Sequence, residues 1–223
     1  MLEENLREIF DYISGGNDRG EKITLVGATK TVDADTINKA VAVGLNVVAE
    51  NKVQEFREKT DLIKDADQHF IGHLQTNKIK YVVGKVALIH SVDTLHLAEE
   101  INAYAEKHGI VQDILAEINV GGETSKSGFP FGQASDALTK IKCLKNVRLK
   151  GLMAMLPQSD DKNYIAALCR KMRALYDEKN AEGYGFTVLS MGMTEDYKIA
   201  VKNGSNTIRI GSGIFGKRNY GVR

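Results

Sequence analysis

The feature that most restricts the fold of this 223-residue chain is a regular alternation of short apolar segments with longer amphipathic ones. The short segments have the length and β-branched content of buried strands, whereas the longer ones have helical periodicity. We predict eight strands, over residues 23–28, 46–49, 69–72, 87–91, 113–119, 148–153, 187–190 and 207–210. A short helical turn follows the last strand, and helices are predicted over residues 2–13, 35–43, 53–64, 77–83, 95–108, 133–142, 164–182 and 195–203.

Eight strand–helix units joined by right-handed crossovers close most simply into a (β/α)8 barrel. We therefore predict an α/β fold, a TIM-type barrel with an extra N-terminal helix. No linker-like stretch divides the chain, so a single domain over residues 1–223 is expected. An open doubly wound sheet is the alternative, but no Gly-x-Gly-x-x-Gly pattern follows the first strand.

Charge and composition exclude several classes of partner. The formal net charge is +1, which gives no electrostatic reason to expect nucleic acid or an anionic membrane. The two cysteines, Cys143 and Cys169, form no Cys-x-x-Cys pair, which fits a reducing compartment. No apolar run reaches membrane-span length, and the N-terminal segment is amphipathic and acidic, unlike a signal peptide. A cytoplasmic location is expected.

Polar and small residues collect where the predicted strands end, and a barrel places its active site at that rim. Lys30 closes the first strand, where an amine can meet a small-molecule aldehyde and act as a nucleophile. Taken alone, a lysine after a strand is more often a solvated loop residue. The other residues at strand ends are Glu50, Asn51, His73, Asp93, Asn119, Met153, Met155, Ser190, Arg209, Gly211 and Ser212.

The eighth strand aims an arginine into the barrel. Ile208 and Ile210 share one face of this strand, so Arg209 lies on the opposite, inward face. A buried guanidinium needs an acceptor, which a ligand or a carboxylate such as Glu50 or Glu117 can supply.

Two glycine-containing loops, over residues 190–194 and 211–216, follow the seventh and eighth strands. Glycines let backbone N–H groups approach an anion, and barrels commonly bind phosphate at this position. Each loop by itself is equally well explained as an ordinary tight turn, but together they favour a phosphate.

Two other patterns are weaker. The segment 121–127 (GGETSKS) resembles a nucleotide-binding P-loop, but Ser125 stands where that motif requires a glycine before the lysine. His69 and His73 lie four residues apart on a predicted strand, and no third ligand is evident, so a metal site is not expected.

Seven segments carry recognisable motifs: 26–30 (VGATK), 50–55 (ENKVQE), 69–78 (HFIGHLQTNK), 125–129 (SKSGF), 151–153 (GLM), 189–193 (LSMGM) and 209–216 (RIGSGIFG). Together they resemble one family, the pyridoxal phosphate homeostasis proteins, which are similar in fold to the barrel domain of bacterial alanine racemase. One departure is Ala49, where the family usually has a glycine before the Glu-Asn pair, which puts only local backbone geometry in question.

The resemblance implies pyridoxal 5′-phosphate (PLP) as the cofactor and gives residues their roles. Lys30 would form a Schiff base with the cofactor aldehyde, Arg209 would face the pyridine nitrogen, and Asn51 would lie near the ring hydroxyl. The phosphate would be held by Ser190, Gly211 and Ser212. The pocket beside the ring would be lined by His73, Met153 and Met155.

The resemblance also implies a role in vitamin B6 homeostasis without robust turnover. A cation facing the ring nitrogen disfavours its protonation and weakens the ring as an electron sink. The sequence ends at Arg223, soon after the eighth unit, so we expect that the all-β domain that supplies a second base in related racemases is missing. We expect a monomer that passes PLP to PLP-dependent apoenzymes.

Two other functions stay open. A single-domain PLP-dependent amino-acid racemase could use Tyr197 or His73 as its second base. A phosphosugar-type barrel enzyme without PLP is a third possibility.

Overall fold

The structure is a computed structural model that describes residues 1–216, so residues 217–223 of the predicted domain lie outside the described residues. Its centre is a closed barrel of parallel strands. The strands are β1 (Thr24–Ala28), β2 (Val47–Glu50), β3 (Asp67–Phe70), β4 (Leu88–Val92), β5 (Gln112–Asn119), β6 (Phe129–Pro130), β7 (Val147–Met153), β8 (Val188–Ser190) and β9 (Thr207–Ile210).

Strand pairing closes the barrel. Around it the order is β1, β2, β3, β4, β5, β7, β8 and β9, and β9 pairs with β1. This confirms the predicted (β/α)8 architecture. The short strand β6 was not predicted; it pairs with the end of β5 outside the barrel, and two residues are too few to give a periodic signal.

Helices surround the barrel and an additional one precedes it, as predicted. No helix within residues 1–216 has both the length and the apolar character needed to span a membrane. The helices are α1 (Leu2–Ile13), α2 (Ala34–Ala42), α3 (Val53–Lys59), α4 (Leu95–Lys107), α5 (Ala134–Lys142), α6 (Lys162–Ala181), α7 (Tyr197–Lys202) and α8 (Ser212–Phe215). Three short 3₁₀ helices cover Thr60–Leu62, Thr76–Tyr81 and Phe131–Gln133.

Side-chain caps determine where several helices begin. The side chain of Asp33 accepts a hydrogen bond from Thr36 N, and the side chain of Thr94 accepts one from Leu97 N. The predicted helix over 77–83 is instead the 3₁₀ helix Thr76–Tyr81, which is followed by a turn in which Gly84 has φ +79°. The cap at Asp33 matters for the site, because it lies three residues after Lys30 and starts α2 at Ala34.

The apolar core lies mainly between the strands and the helices. Ile208 and Ile210 of β9 are fully buried in a cluster that also contains Leu6 and Ile9 of α1. Since β9 turns both isoleucines outward, the residue between them faces the barrel interior, as the alternation predicts.

Candidate functional site

A cleft of about 640 Å³ opens at the carboxyl ends of the barrel strands. Because parallel strands all end at this rim, side chains that are distant in sequence meet there. The predicted site residues that line the cleft are Lys30, Asn51, His73, Met155, Arg209, Gly211 and Ser212. A second hollow of about 330 Å³ adjoins it and shares Lys30, Gly211 and Ser212.

Lys30 lies in a tightly held turn between β1 and α2. It is half-buried and lines both hollows, so it is not an ordinary solvated loop lysine. The next residue, Thr31, has φ +64°, a conformation that β-branched residues rarely adopt, and its N–H donates to Glu55 Oε2 at 2.6 Å. Backbone strain of this kind concentrates at functional sites, where the surrounding contacts maintain it.

A buried ion pair supports this turn from below. Glu50 Oε1 accepts hydrogen bonds from Thr29 Oγ1 at 2.6 Å and from Lys59 Nζ at 2.7 Å. Lys59 Nζ also donates to the carbonyl of Thr29 at 3.0 Å. Burial raises the pKa of Glu50, and the hydrogen bond from Lys59 opposes that rise. Glu50 therefore fixes the backbone before Lys30 and is not the partner of Arg209.

Arg209 occupies the barrel interior with neutral partners. It is 3% exposed, and its guanidinium donates to Ser190 Oγ at 2.6 Å, to the carbonyl of Ala154 at 2.9 Å and to Met155 Sδ at 3.4 Å. Within residues 1–216 it forms no ion pair, so the internal salt bridge considered from the sequence is not found. Burial lowers the pKa of Arg209 to about 10.

Glu117 is a cleft residue that we had not predicted as part of the site. It is 7% exposed and lines the cleft, and no hydrogen bond to its carboxylate is found within residues 1–216. Burial, together with the negative charge of Asp93, raises the pKa of Glu117 to about 7. The alternation in β5 signals its position, because Leu115 packs in the barrel interior and Glu117 lies two residues further on the same face.

His73 and Asp93 form a pair at the edge of the cleft. His73 Nδ1–H donates to Asp93 Oδ2 at 3.0 Å, and the imidazole is 63% exposed whereas the carboxylate is 8% exposed. The carboxylate therefore fixes the orientation of a ring that can exchange protons with solvent or a ligand. Tyr197, the other candidate base, is 8% exposed, stacks edge-on against Tyr12 and lines a pocket beside α1 instead of the cleft.

The two glycine loops meet at the rim, as their positions suggested. Ser212 Oγ lies 3.2 Å from Thr194 Oγ1, which also accepts a hydrogen bond from Gly213 N at 3.2 Å. A Cβ on Gly211 would come within 3.3 Å of the carbonyl of Ala28, so the loop passes close to β1 and Lys30. Hydroxyls and backbone therefore line one end of the cleft next to the lysine.

Two predicted residues lie beneath the cleft rather than in its wall. Met153 and Ser190 are paired across β7 and β8, and each is the last residue of its strand. Met153 packs in the barrel interior with Leu88 and Leu115. Ser190 is fully buried, and its hydroxyl contacts Arg209 and His90. In β7 and β8 the last strand position thus faces inward, and the rim is formed there by the residues that follow it.

The loop that resembles a P-loop forms another wall of the cleft through Ser125, Lys126 and Ser127. On the opposite side, Asn51 Oδ1 is buried and has no hydrogen-bond partner among the described residues. An orphaned buried acceptor beside a cleft is typical of a site for a polar ligand. An amine, a buried guanidinium and a hydroxyl-lined end together suit a small molecule with an electrophilic carbon and an anionic group.

Comparisons with known proteins agree with this chemistry. Residues 2–219 match the model of the family described as alanine racemase, N-terminal domain. The pyridoxal phosphate homeostasis protein of Aquifex aeolicus (strain VF5) is 44% identical over 206 residues, covering 91% of this chain and 90% of its own.

Solved structures are similar over nearly the whole chain. PipY of Synechococcus elongatus PCC7942, solved with PLP bound, has a TM-score of 0.83 and 29% identity, with 97% of this chain and 100% of that chain covered. An unknown protein from Bifidobacterium adolescentis has a TM-score of 0.90 and 32% identity, with 96% and 94% covered.

Proposed function

This chain belongs to the pyridoxal phosphate homeostasis protein family, and on that premise we propose that it binds pyridoxal 5′-phosphate in the rim cleft. Its role would be to hold the cofactor for intracellular vitamin B6 homeostasis, without robust turnover of a substrate. The observation that carries the proposal is the convergence of Lys30, Arg209 and the two glycine loops on one cleft.

The residues of the cleft fit the functional groups of this cofactor. When bound, PLP supplies an electrophilic aldehyde and an electron-withdrawing ring. Lys30 Nζ would hold the cofactor through a covalent bond to the aldehyde carbon, with the aldehyde oxygen released as water, and Ser212, Thr194 and Gly211 would bind the phosphate. The orphaned Oδ1 of Asn51 leaves this side chain available for the ring hydroxyl, either by accepting a hydrogen bond from it or, with the amide turned, by donating one to it.

Other cleft residues would surround the ring. Arg209 would face the ring nitrogen, and His73 and Met155 would line the pocket beside the ring. Met153 and Ser190 are predicted from the resemblance to contact the cofactor. Both are buried beneath the cleft, where they would support the residues that line it.

The charge of Arg209 supports a carrier rather than an enzyme. Its described hydrogen-bond partners are all neutral, so its positive charge remains available to oppose protonation of the ring nitrogen. An unprotonated ring withdraws electrons less strongly, which raises the barrier to removing a Cα proton from an amino acid.

The first experiment tests the covalent bond. The purified protein with PLP should absorb near the violet edge of the visible, and borohydride should fix the cofactor on Lys30. Lys30→Ala should abolish both signals, whereas the controls Lys52→Ala and Lys78→Ala should keep them. An adduct that persists on Lys52 or Lys78 in the Lys30→Ala protein would overturn the assignment. If the parent protein forms no adduct with PLP, the result would instead favour a phosphosugar-type barrel enzyme.

A PLP-dependent amino-acid racemase is the second candidate, and the His73–Asp93 pair is the observation that favours it. The test follows Cα–deuterium exchange of alanine and serine in the parent, in Arg209→Gln and in Arg209→Glu, at matched cofactor occupancy. A carrier should exchange negligibly, and Arg209→Glu should gain slow exchange because a carboxylate favours a protonated ring nitrogen. Brisk exchange in the parent that falls in Arg209→Glu would identify a racemase.

We also propose that the protein is a cytoplasmic monomer and that its recipients are PLP-dependent apoenzymes. The loaded protein should then reactivate an added apoenzyme faster than it releases PLP to buffer alone. Reactivation at the rate of free release would argue against direct transfer, and sedimentation would report the oligomeric state.

A further inference from the structure

A series of hydrogen bonds runs through the barrel interior beneath the cleft. His69 Nδ1 lies 3.0 Å from His90 Nε2, and His90 Nδ1 lies 3.1 Å from Ser190 Oγ. Ser190 Oγ in turn accepts a hydrogen bond from Arg209 at 2.6 Å. His90 and Ser190 are both fully buried. We call His69, His90 and Ser190 the histidine relay.

The proton positions in the relay follow from the requirement that every hydrogen has an acceptor. Arg209 can only donate, so Ser190 Oγ must accept from it and its own hydrogen needs another acceptor. His90 Nδ1 is the acceptor available, which places the His90 proton on Nε2, from where it donates to His69 Nδ1. The opposite direction would give Ser190 Oγ two donors and leave its own hydrogen without an acceptor among the described residues.

We propose that the histidine relay positions the guanidinium of Arg209 beneath the ligand through hydrogen bonds to neutral groups, while the carboxylates of Glu117 and Asp196 act on it only through space. Hydrogen bonds to neutral groups fix the orientation of a guanidinium, whereas a carboxylate in the same place would also neutralise it. The proposal rests on the proposed function, because only a ligand in the cleft experiences the charge of Arg209.

Burial keeps the relay neutral. It lowers the pKa of His69 to about 4 and the pKa of His90 well below its usual value, and the charges of His69 and Arg209 act on His90 in the same direction. Asp67, on the same strand as His69, acts in the opposite direction without outweighing burial. Each imidazole therefore stays neutral, with one N–H proton, as the proposed direction of the hydrogen bonds requires.

The first test uses the protein without cofactor. Nitrogen-15 NMR of the parent should show His90 as a neutral imidazole protonated on Nε2 and unchanged between pH 5 and pH 8. Ser190→Ala and Arg209→Gln should each shift the His90 signals, because each removes one step of the series. The control His108→Asn, at an exposed ring stacked on Tyr104, should leave them unchanged. His90 signals unaffected by Ser190→Ala would overturn the relay.

The second test measures affinities for PLP and for unphosphorylated pyridoxal. Ser190→Ala removes the hydrogen bond that Ser190 accepts from Arg209, which should weaken both ligands by a similar factor, about twofold to tenfold. Ser212→Ala, at the rim, should instead weaken PLP alone. If Ser190→Ala discriminates between the ligands as Ser212→Ala does, Ser190 contacts phosphate and the relay is wrong. If the parent protein binds neither ligand, the proposed function is wrong. The NMR experiment then still tests whether the histidine relay exists.

Discussion

Replacing Glu117 by glutamine should stabilise the protein increasingly as the pH rises. Glu117 lines the cleft at 7% exposure, and burial raises its pKa to about 7. Its ordinary pKa, 4.5, describes the unfolded chain. Between these two values the unfolded chain releases the proton before the folded protein does, so ionisation of Glu117 favours unfolding. Glutamine has nearly the same shape and never ionises, so it removes this penalty.

The size of the effect follows from the two pKa values. Since one pKa unit corresponds to about 1.4 kcal/mol, the penalty is about 3 kcal/mol once the pH exceeds 7. Near pH 5 it is only about 1 kcal/mol, and below pH 4 it vanishes because the carboxyl is protonated in both states. The stability of Glu117→Gln relative to the parent should therefore rise by about 2 kcal/mol between pH 5 and pH 7 and then level off.

Urea unfolding of parent and variant, followed by circular dichroism at pH 5, 6, 7 and 8, measures this difference directly. Glu123→Gln is the matched control, because it removes the same charge from an exposed position on the loop above the cleft. Its stability relative to the parent should vary little with pH. A stability difference for Glu117→Gln that stays flat from pH 5 to pH 8 would refute the view that burial raises the pKa of this carboxyl.

Three further changes test the site and its support. Ser212→Ala should weaken PLP by about one to two decades, from roughly 1.5–3 kcal/mol per charged hydrogen bond, in an equilibrium titration. Lys59→Met should cost about 3–5 kcal/mol in urea unfolding because it leaves Glu50 buried and unpaired, and adding Glu50→Gln should recover part of the loss. Gly72→Ala should lower the yield of folded protein and its PLP binding, because its Cβ would meet the carbonyl oxygen of Asn51; a stable variant that binds normally would contradict this.

Features that depend on periodicity could be predicted from the sequence. The alternation of strands and helices gave the barrel, and the two isoleucines that flank Arg209 gave its inward direction. Position along the barrel axis was not predictable, because the period-two pattern shows which face a residue takes but not its depth. Ser190 and Ser212 are both predicted at the phosphate; Ser190 is fully buried and does not line the cleft, whereas Ser212 lies at the rim.

Contacts between residues that are distant in the sequence could not be predicted from the sequence either. His90 is one of several polar residues near a strand end, and nothing in its local sequence indicates a contact with Ser190 a hundred residues away. The alternation in β5 gives the face of Glu117, two residues after the inward Leu115, but only the register of the barrel places it at the height of the cleft.

The buried cations of this protein differ in their partners, and the difference distinguishes structural charges from the charge at the candidate site. Arg173 and Lys179 are both buried, and each forms ion pairs with two carboxylates, as a structural charge requires. Arg209 is buried more deeply than either, yet within residues 1–216 it has only a hydroxyl, a carbonyl and a sulfur as hydrogen-bond acceptors. The carboxylates of Glu117 and Asp196 act on Arg209 only through space, and a buried charge without a hydrogen-bonded counterion is costly to stability, so we infer that this arrangement serves a bound molecule. A cation that opposes ring protonation in a cleft with a lysine at its rim suits a protein that holds a reactive cofactor without using it.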